Sequence, residues 1–207
     1  MKKFGGYDDA KKQAQASGGI GRLPAGAYVC KVIGVKYEVG KNGNSDRIQL
    51  QYDISEGDFK DFFHDQYEAN TAEDKKYKGK ATIYVPNDDG SERDGWTKKS
   101  FAGWTNAFEE SNPGYSWDWD EKKWKNKIIG IVFGETGTVI DGKEIVYTEA
   151  RFGISAQKVR DGVAPAAKFK AKNGYTGTAS ASTSGSSSSS ADFIDVPLDA
   201  MDELPFN

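Results

Sequence analysis

Nucleophiles and proton carriers are scarce in this chain. It holds one histidine, His64, and one cysteine, Cys30, so a His-rich hydrolase site or a zinc site built from the usual ligands has too few members. Cys30 sits in an apolar run, where a thiol is ordinarily packed rather than reactive, and a lone cysteine allows no internal disulfide. No serine lies in a nucleophile elbow, and Gly18-Gly19-Ile20-Gly21 lacks the lysine and the preceding strand of a phosphate-cradling loop. Asp118, Asp120 and Glu121 have the acids of a metal nuclease, but their close spacing in an aromatic stretch reads more simply as a solvated rim. Two other kinds of side chain are abundant: 28 Lys and Arg, and 26 aromatic rings as 5 Trp, 10 Tyr and 11 Phe. Together they suit recognition of a single-stranded polyanion, in which cations follow the phosphates and rings stack on bases. The expectation is a binding protein with no catalytic residue, cofactor or metal.

The elements that must position these groups follow from periodicity. A first strand runs from Ala27 to Val39, with Gly34 inside it as the mark of a bulge. Lys41-Asn42-Gly43-Asn44 is a hairpin turn. The second strand, from about Ser45 to Ile54, alternates Ile48, Leu50, Tyr52 and Ile54 with Arg47, Gln49, Gln51 and Asp53, which predicts one apolar and one polar face. Glu56 to Phe63 is acidic and aromatic, with room for a helical turn or two. Lys80 to Val85 is a third strand, with Lys80 and Tyr84 on one face and Ile83 and Val85 on the other. The period then changes: Thr97, Phe101, Trp104 and Phe108 share one helical face, with Asp94 as the expected N-cap and Asn112-Pro113-Gly114 as the stop. After an irregular aromatic segment with Trp117, Trp119 and Trp124, a fourth strand covers Lys127 to Glu135. A loop containing Gly137 and Asp141-Gly142 leads to a fifth strand from Lys143 to Ile154. Asp8 to Ser17 has the composition of a short helix or an arm.

Three strands, a helix and two strands is the element order of an OB-fold. The predicted class is therefore mainly β: a single OB-fold-like five-stranded barrel with one helix between strands 3 and 4, followed by a disordered C-terminal tail. Residues 1–22 form an arm, 23–163 the barrel domain, 164–191 a basic and then Ser/Gly-rich linker, and 192–207 an acidic-hydrophobic tip. Such barrels bind single strands on the face of strands 2 and 3 and with the loops joining strands 1–2 and 4–5. The candidate DNA-binding set is accordingly Lys36, Tyr37 and Lys41 around the first loop, Arg47, Gln49 and Gln51 on strand 2, Lys80 and Tyr84 on strand 3, and Lys143 and Arg151 on strand 5. Trp104 is expected in the core. Trp117 and Trp119 are expected to pack over a barrel end.

Charge supports a division of labour. The net charge is −3, but the last sixteen residues carry five acids and no base. Without them 28 basic residues face 26 acidic ones, a balance of +2 for residues 1–191. Arg151, Lys158, Arg160, Lys168, Lys170 and Lys172 face only Asp161 between 151 and 172, a basic shoulder ahead of the acidic tip. No apolar run approaches membrane-spanning length and the N-terminus lacks a signal-peptide core, so a cytoplasmic setting without membrane contact is expected.

The tip spaces Phe193, Ile194, Leu198, Met201, Leu204 and Phe206 among its acids, a pattern for docking rather than for solubility alone. It resembles the C-terminal tip of bacterial single-stranded DNA-binding proteins, where acids lead into a hydrophobic residue, Pro and a final Phe. Asp199, Asp202, Glu203, Leu204, Pro205 and Phe206 match that pattern, and Asn207 follows here. The resemblance implies docking onto a basic pocket of a helicase, recombinase or nuclease. The body is similar to an OB-fold family of single-stranded DNA-binding proteins in phages and prophages of Gram-positive bacteria. The likeness runs through Arg22-Leu23-Pro24-Ala25-Gly26-Ala27-Tyr28, Ile54-Ser55-Glu56-Gly57-Asp58-Phe59, Glu110-Ser111-Asn112-Pro113-Gly114-Tyr115, Val132-Phe133-Gly134-Glu135, and Arg151-Phe152 leading to Val159-Arg160-Asp161-Gly162. It implies a part in phage DNA replication or recombination. A non-enzymatic structural or protein-interaction module is the rival reading, and homo-oligomerisation is left open.

Overall fold

Alternation, caps and turns build a mainly β structure around one folded sheet. The computed structural model describes residues 21–41 and 44–177. In chain order it contains β1 (Gly26–Glu38), β2 (Arg47–Ile54), α1 (Phe62–Ala69), β3 (Lys80–Tyr84), α2 (Glu92–Ser111), a 3-10 helix (Glu121–Trp124), β4 (Ile128–Ile140), β5 (Lys143–Ile154), α3 (Ala156–Arg160) and β6 (Lys170–Ala171). The sheet order is β3-β2-β1-β4-β5, with β6 added parallel to β4. The helix does fall between strands 3 and 4. The expected five-stranded barrel is not closed: six strands form the sheet, and β3 and β5 share no ladder. The physical reason lies in strand length and in α2. β3 has five residues against twelve in β5, and α2 packs against β3, β4 and β5 together.

The apolar rows meet as the alternation dictates. Ile48, Leu50, Tyr52 and Ile54 are buried, as are Thr97, Phe101, Trp104 and Phe108 of α2. Phe108 stacks on the fully buried Trp124 at 4.5 Å and 13°. The pairing of β1 with β2 slips between Val32 and Gly34, so the bulge falls beside the predicted glycine. Asn112 ends α2 and also clamps it to the sheet. Its amide nitrogen donates to the Phe108 and Ile128 carbonyls, both at 2.8 Å, and its amide oxygen accepts from the Ile128 N–H.

Several local expectations are corrected. The N-cap of α2 is Ser91, whose hydroxyl accepts from the Asp94 N–H; Asp94 is itself buried and pairs with Lys98. Asp53 is not on a solvated face. It is 8% exposed, and its carboxylate accepts from the Phe63 and His64 N–H groups at the start of α1 and from the Tyr77 hydroxyl. A carboxylate from a neighbouring strand thus does the capping that Asp61, the residue preceding α1, does not. The helical turn expected over Glu56 to Phe63 begins later, at Phe62. Gly137 is not in a loop. β4 runs through it to Ile140, and the hairpin turns on Asp141-Gly142 alone, with φ of 50° and 71°. Tyr175 lies across Gly137, where an added Cβ would sit 2.6 Å from its ring. Residues 164–177, expected to begin a linker, therefore dock on β4. The expected helix over Asp8–Ser17 and the Asn42-Gly43 turn lie outside the described residues.

Candidate nucleic-acid interface

The pairing register assembles nine side-chain positions into an array on one face. Tyr84 of β3 pairs with Arg47 of β2, which pairs with Glu38 of β1. The next outward row is Thr82, Gln49 and Lys36, and the third is Lys80, Gln51 and Gly34. These residues are set by the alternation that buries Ile48, Leu50, Ala81 and Ile83 on the opposite side. Arg47, Lys36, Lys80 and Thr82 are exposed, and Tyr84 keeps 37% of its surface open. Gly34 leaves room for the neighbouring amide, since a Cβ there would meet the Gln51 Oε1 at 2.9 Å. The array thus offers three cations, one carboxylate, two amides, a hydroxyl and a ring over three adjacent strands, with Gly34 the ninth position.

Glu38 sets the electrostatics of one corner. Its carboxylate accepts from the Lys36 Nζ and the Arg47 Nε, each at 2.8 Å, and these two contacts hold it below the usual carboxylate range. Two of the three cations are therefore tied to one acid, while Lys80 is free of it. The sequence reading missed Glu38. The period of two in β1, which puts it on the face of Lys36, was the signal available.

Other expected members lie elsewhere. Tyr37 is in register with Ile48, on the opposite parity from the array, and is 42% exposed at the sheet end. Its hydroxyl donates to the Asp46 carboxylate, which also accepts from the Gly40 N–H at 2.8 Å, so the ring anchors the loop between β1 and β2. That hydrogen bond also raises the Tyr37 hydroxyl above its ordinary pKa. Lys41 is exposed in the same loop, and Lys143 is exposed at the first position of β5. Arg151 is withdrawn from solvent. Its side chain is 7% exposed and donates to Glu149 at 2.8 Å, to the Glu135 carbonyl at 2.9 Å and to the Thr136 hydroxyl at 2.6 Å. It holds the β4–β5 hairpin together. Three members of the basic shoulder also meet acids, at the surface: Arg160 grips Glu56 with two hydrogen bonds, Lys158 reaches Glu110 at 3.7 Å, and Lys172 reaches Glu149 at 3.8 Å.

The groups with potential for chemistry are likewise engaged. Burial pushes the Cys30 thiol well up, which disfavours its nucleophilic thiolate form. Asp118 pairs with Lys123, and Asp120 caps the 3-10 helix by accepting from the Lys122 N–H. No helix among the described residues is long and apolar enough to cross a membrane. The proposed docking residues Asp199, Asp202, Glu203, Leu204, Pro205 and Phe206 lie outside the described residues. In comparisons with known proteins, no family model and no curated protein matches this chain.

Proposed function

We propose that this chain binds single-stranded DNA without sequence preference, as a non-enzymatic protein of phage DNA replication or recombination in the host cytoplasm. The observation that carries the reading is the registered array on β1, β2 and β3, where Lys36, Arg47 and Lys80 surround amides and the ring of Tyr84. Cations address phosphates and a half-open ring addresses a base, and neither contact distinguishes one base sequence from another. The strand order, with α2 between β3 and β4, supports reading the body as an opened OB-type fold whose binding face is this array. The acidic-hydrophobic tip then recruits a helicase, recombinase or nuclease through Asp199, Asp202, Glu203, Leu204, Pro205 and Phe206.

The test is titration of fluorescent oligo-dT at two salt concentrations. Binding is expected to weaken with salt at a log-log slope of about −0.7 for each phosphate neutralised. Equal affinity for duplex and single strand, or none for either at low salt, overturns the reading and leaves a protein-interaction module in its place.

A further inference from the structure

The five tryptophans differ sharply in exposure. Trp104 and Trp124 are buried and Trp96 and Trp117 are half-buried, but Trp119 is 77% exposed. Its φ of 67° lies in the left-handed region, which a bulky aromatic rarely adopts. Strain of this kind persists only where surrounding structure enforces it, and it gathers at functional positions. Here the enforcing contacts are aromatic. One face of the indole stacks on Phe101 at 6.1 Å and 14°, and Trp117 braces it at 5.9 Å and 56°. Trp117 is fixed in turn, since its backbone N–H donates to Glu109 at 2.7 Å. The ring is thus supported from within the fold and presents its remaining surface to solvent.

The charges beside it balance, with Asp118, Asp120 and Glu121 against Lys122, Lys123 and Lys125, so what matters is which of the lysines are already paired. Asp118 pairs with Lys123, while Asp120, which caps the 3-10 helix, and Glu121 keep their charges. Lys122 and Lys125 are exposed and make no ion pair among the described residues. The 3-10 helix that carries Lys122 packs against β1, and the chain just after it is tied there by two hydrogen bonds of 2.9 Å, from the Asn126 N–H to the Val32 carbonyl and from the Val32 N–H to the Lys127 carbonyl. The segment therefore adjoins the strand that carries Lys36.

We propose that Trp119, with Lys122 and Lys125, forms a second stacking subsite for single-stranded nucleic acid. A base lies on the open face of the indole, and the two lysines take the flanking phosphates. This inference rests on the single-strand reading above. Between Tyr115 and Asn126 Trp119 is the only exposed large apolar side chain, but Ile33 and Tyr37 stand exposed on the adjoining β1, so a protein contact is the outcome the experiment must separate from a base. One ring and free cations suffice for a base.

The experiment measures oligo-dT binding to the full chain by anisotropy, alongside intrinsic tryptophan emission. Oligo-dT is expected to quench that emission. Trp119→Leu, which still covers Phe101 but offers no flat π face, is expected to bind on the order of ten-fold more weakly and to lose most of the quench. Trp119→Phe is expected to recover most of the affinity, and Lys122→Ala with Lys125→Ala to flatten the salt dependence. Wild-type binding without quenching, or Trp119→Leu with unchanged affinity, overturns the subsite and leaves the single-strand reading standing. Unchanged oligo-dT binding with altered self-association assigns the ring to a protein contact and also overturns it. Absence of wild-type binding by anisotropy removes the single-strand reading itself.

Discussion

Glu38 shows how one side chain tunes the array. It holds Lys36 and Arg47 in place, yet a phosphate arriving at either cation must displace or tolerate its negative charge. Glu38→Gln is therefore expected to tighten oligo-dT binding at low salt, with the gain fading as salt is raised. Equal or weaker binding by the variant would show that the acid's positioning role outweighs its competition. Tyr84→Ala is expected to cost on the order of 1–3 kcal/mol of binding, with little change in melting temperature, because the ring is half-open on the outward face. Tyr37→Ala is expected to behave differently. It releases Asp46 and loosens the first loop, so its effect on binding is expected to track the loss of loop order in hydrogen exchange.

At the scale of elements, two devices that bridge the chain deserve separate tests. Asp53 links β2 to the start of α1 and to Tyr77 through buried hydrogen bonds. Asp53→Asn turns one acceptor into a donor facing donors, and is expected to destabilise the fold by at least about 2 kcal/mol in denaturant melts. Trp104→Ala removes a buried ring from the face of α2 and is expected to cost about 3–5 kcal/mol. If Trp104→Ala is no more damaging than Tyr84→Ala in the same melts, the division between core and binding face is wrong.

The whole molecule pairs a cationic face with an acidic end. Removal of residues 192–207 is expected to leave oligo-dT binding intact or slightly tighter at low salt, since five acids no longer compete with phosphates. The same removal is expected to abolish capture of a helicase, recombinase or nuclease with a basic pocket, and Phe206→Ala to lose most of it. Pull-down and anisotropy on one protein sample check both halves. Loss of DNA binding on truncation, with the circular dichroism unchanged, would overturn this division.

What the sequence by itself determined is whatever depends on neighbours a few residues apart. The period of two in Ile48 to Ile54 marked the buried and outward faces of β2 up to Gln51. The spacing of Thr97, Phe101, Trp104 and Phe108 marked the packed face of α2, and Gly34 marked the bulge, because strand and helix geometry convert spacing directly into side-chain direction. Tertiary structure alone decided which charges were spent. Arg151 is distinguished from Lys80 only by Glu149, Thr136 and Glu135 closing around it, and Asp53 from Gln51 only by the arrival of α1 and Tyr77. It also decided that the sheet stays open under α2, that residues 170–171 join β4, and that of two tryptophans two positions apart Trp119 alone stands exposed. Each of these outcomes depends on contacts between segments distant in the chain, and local periodicity carries no record of such contacts.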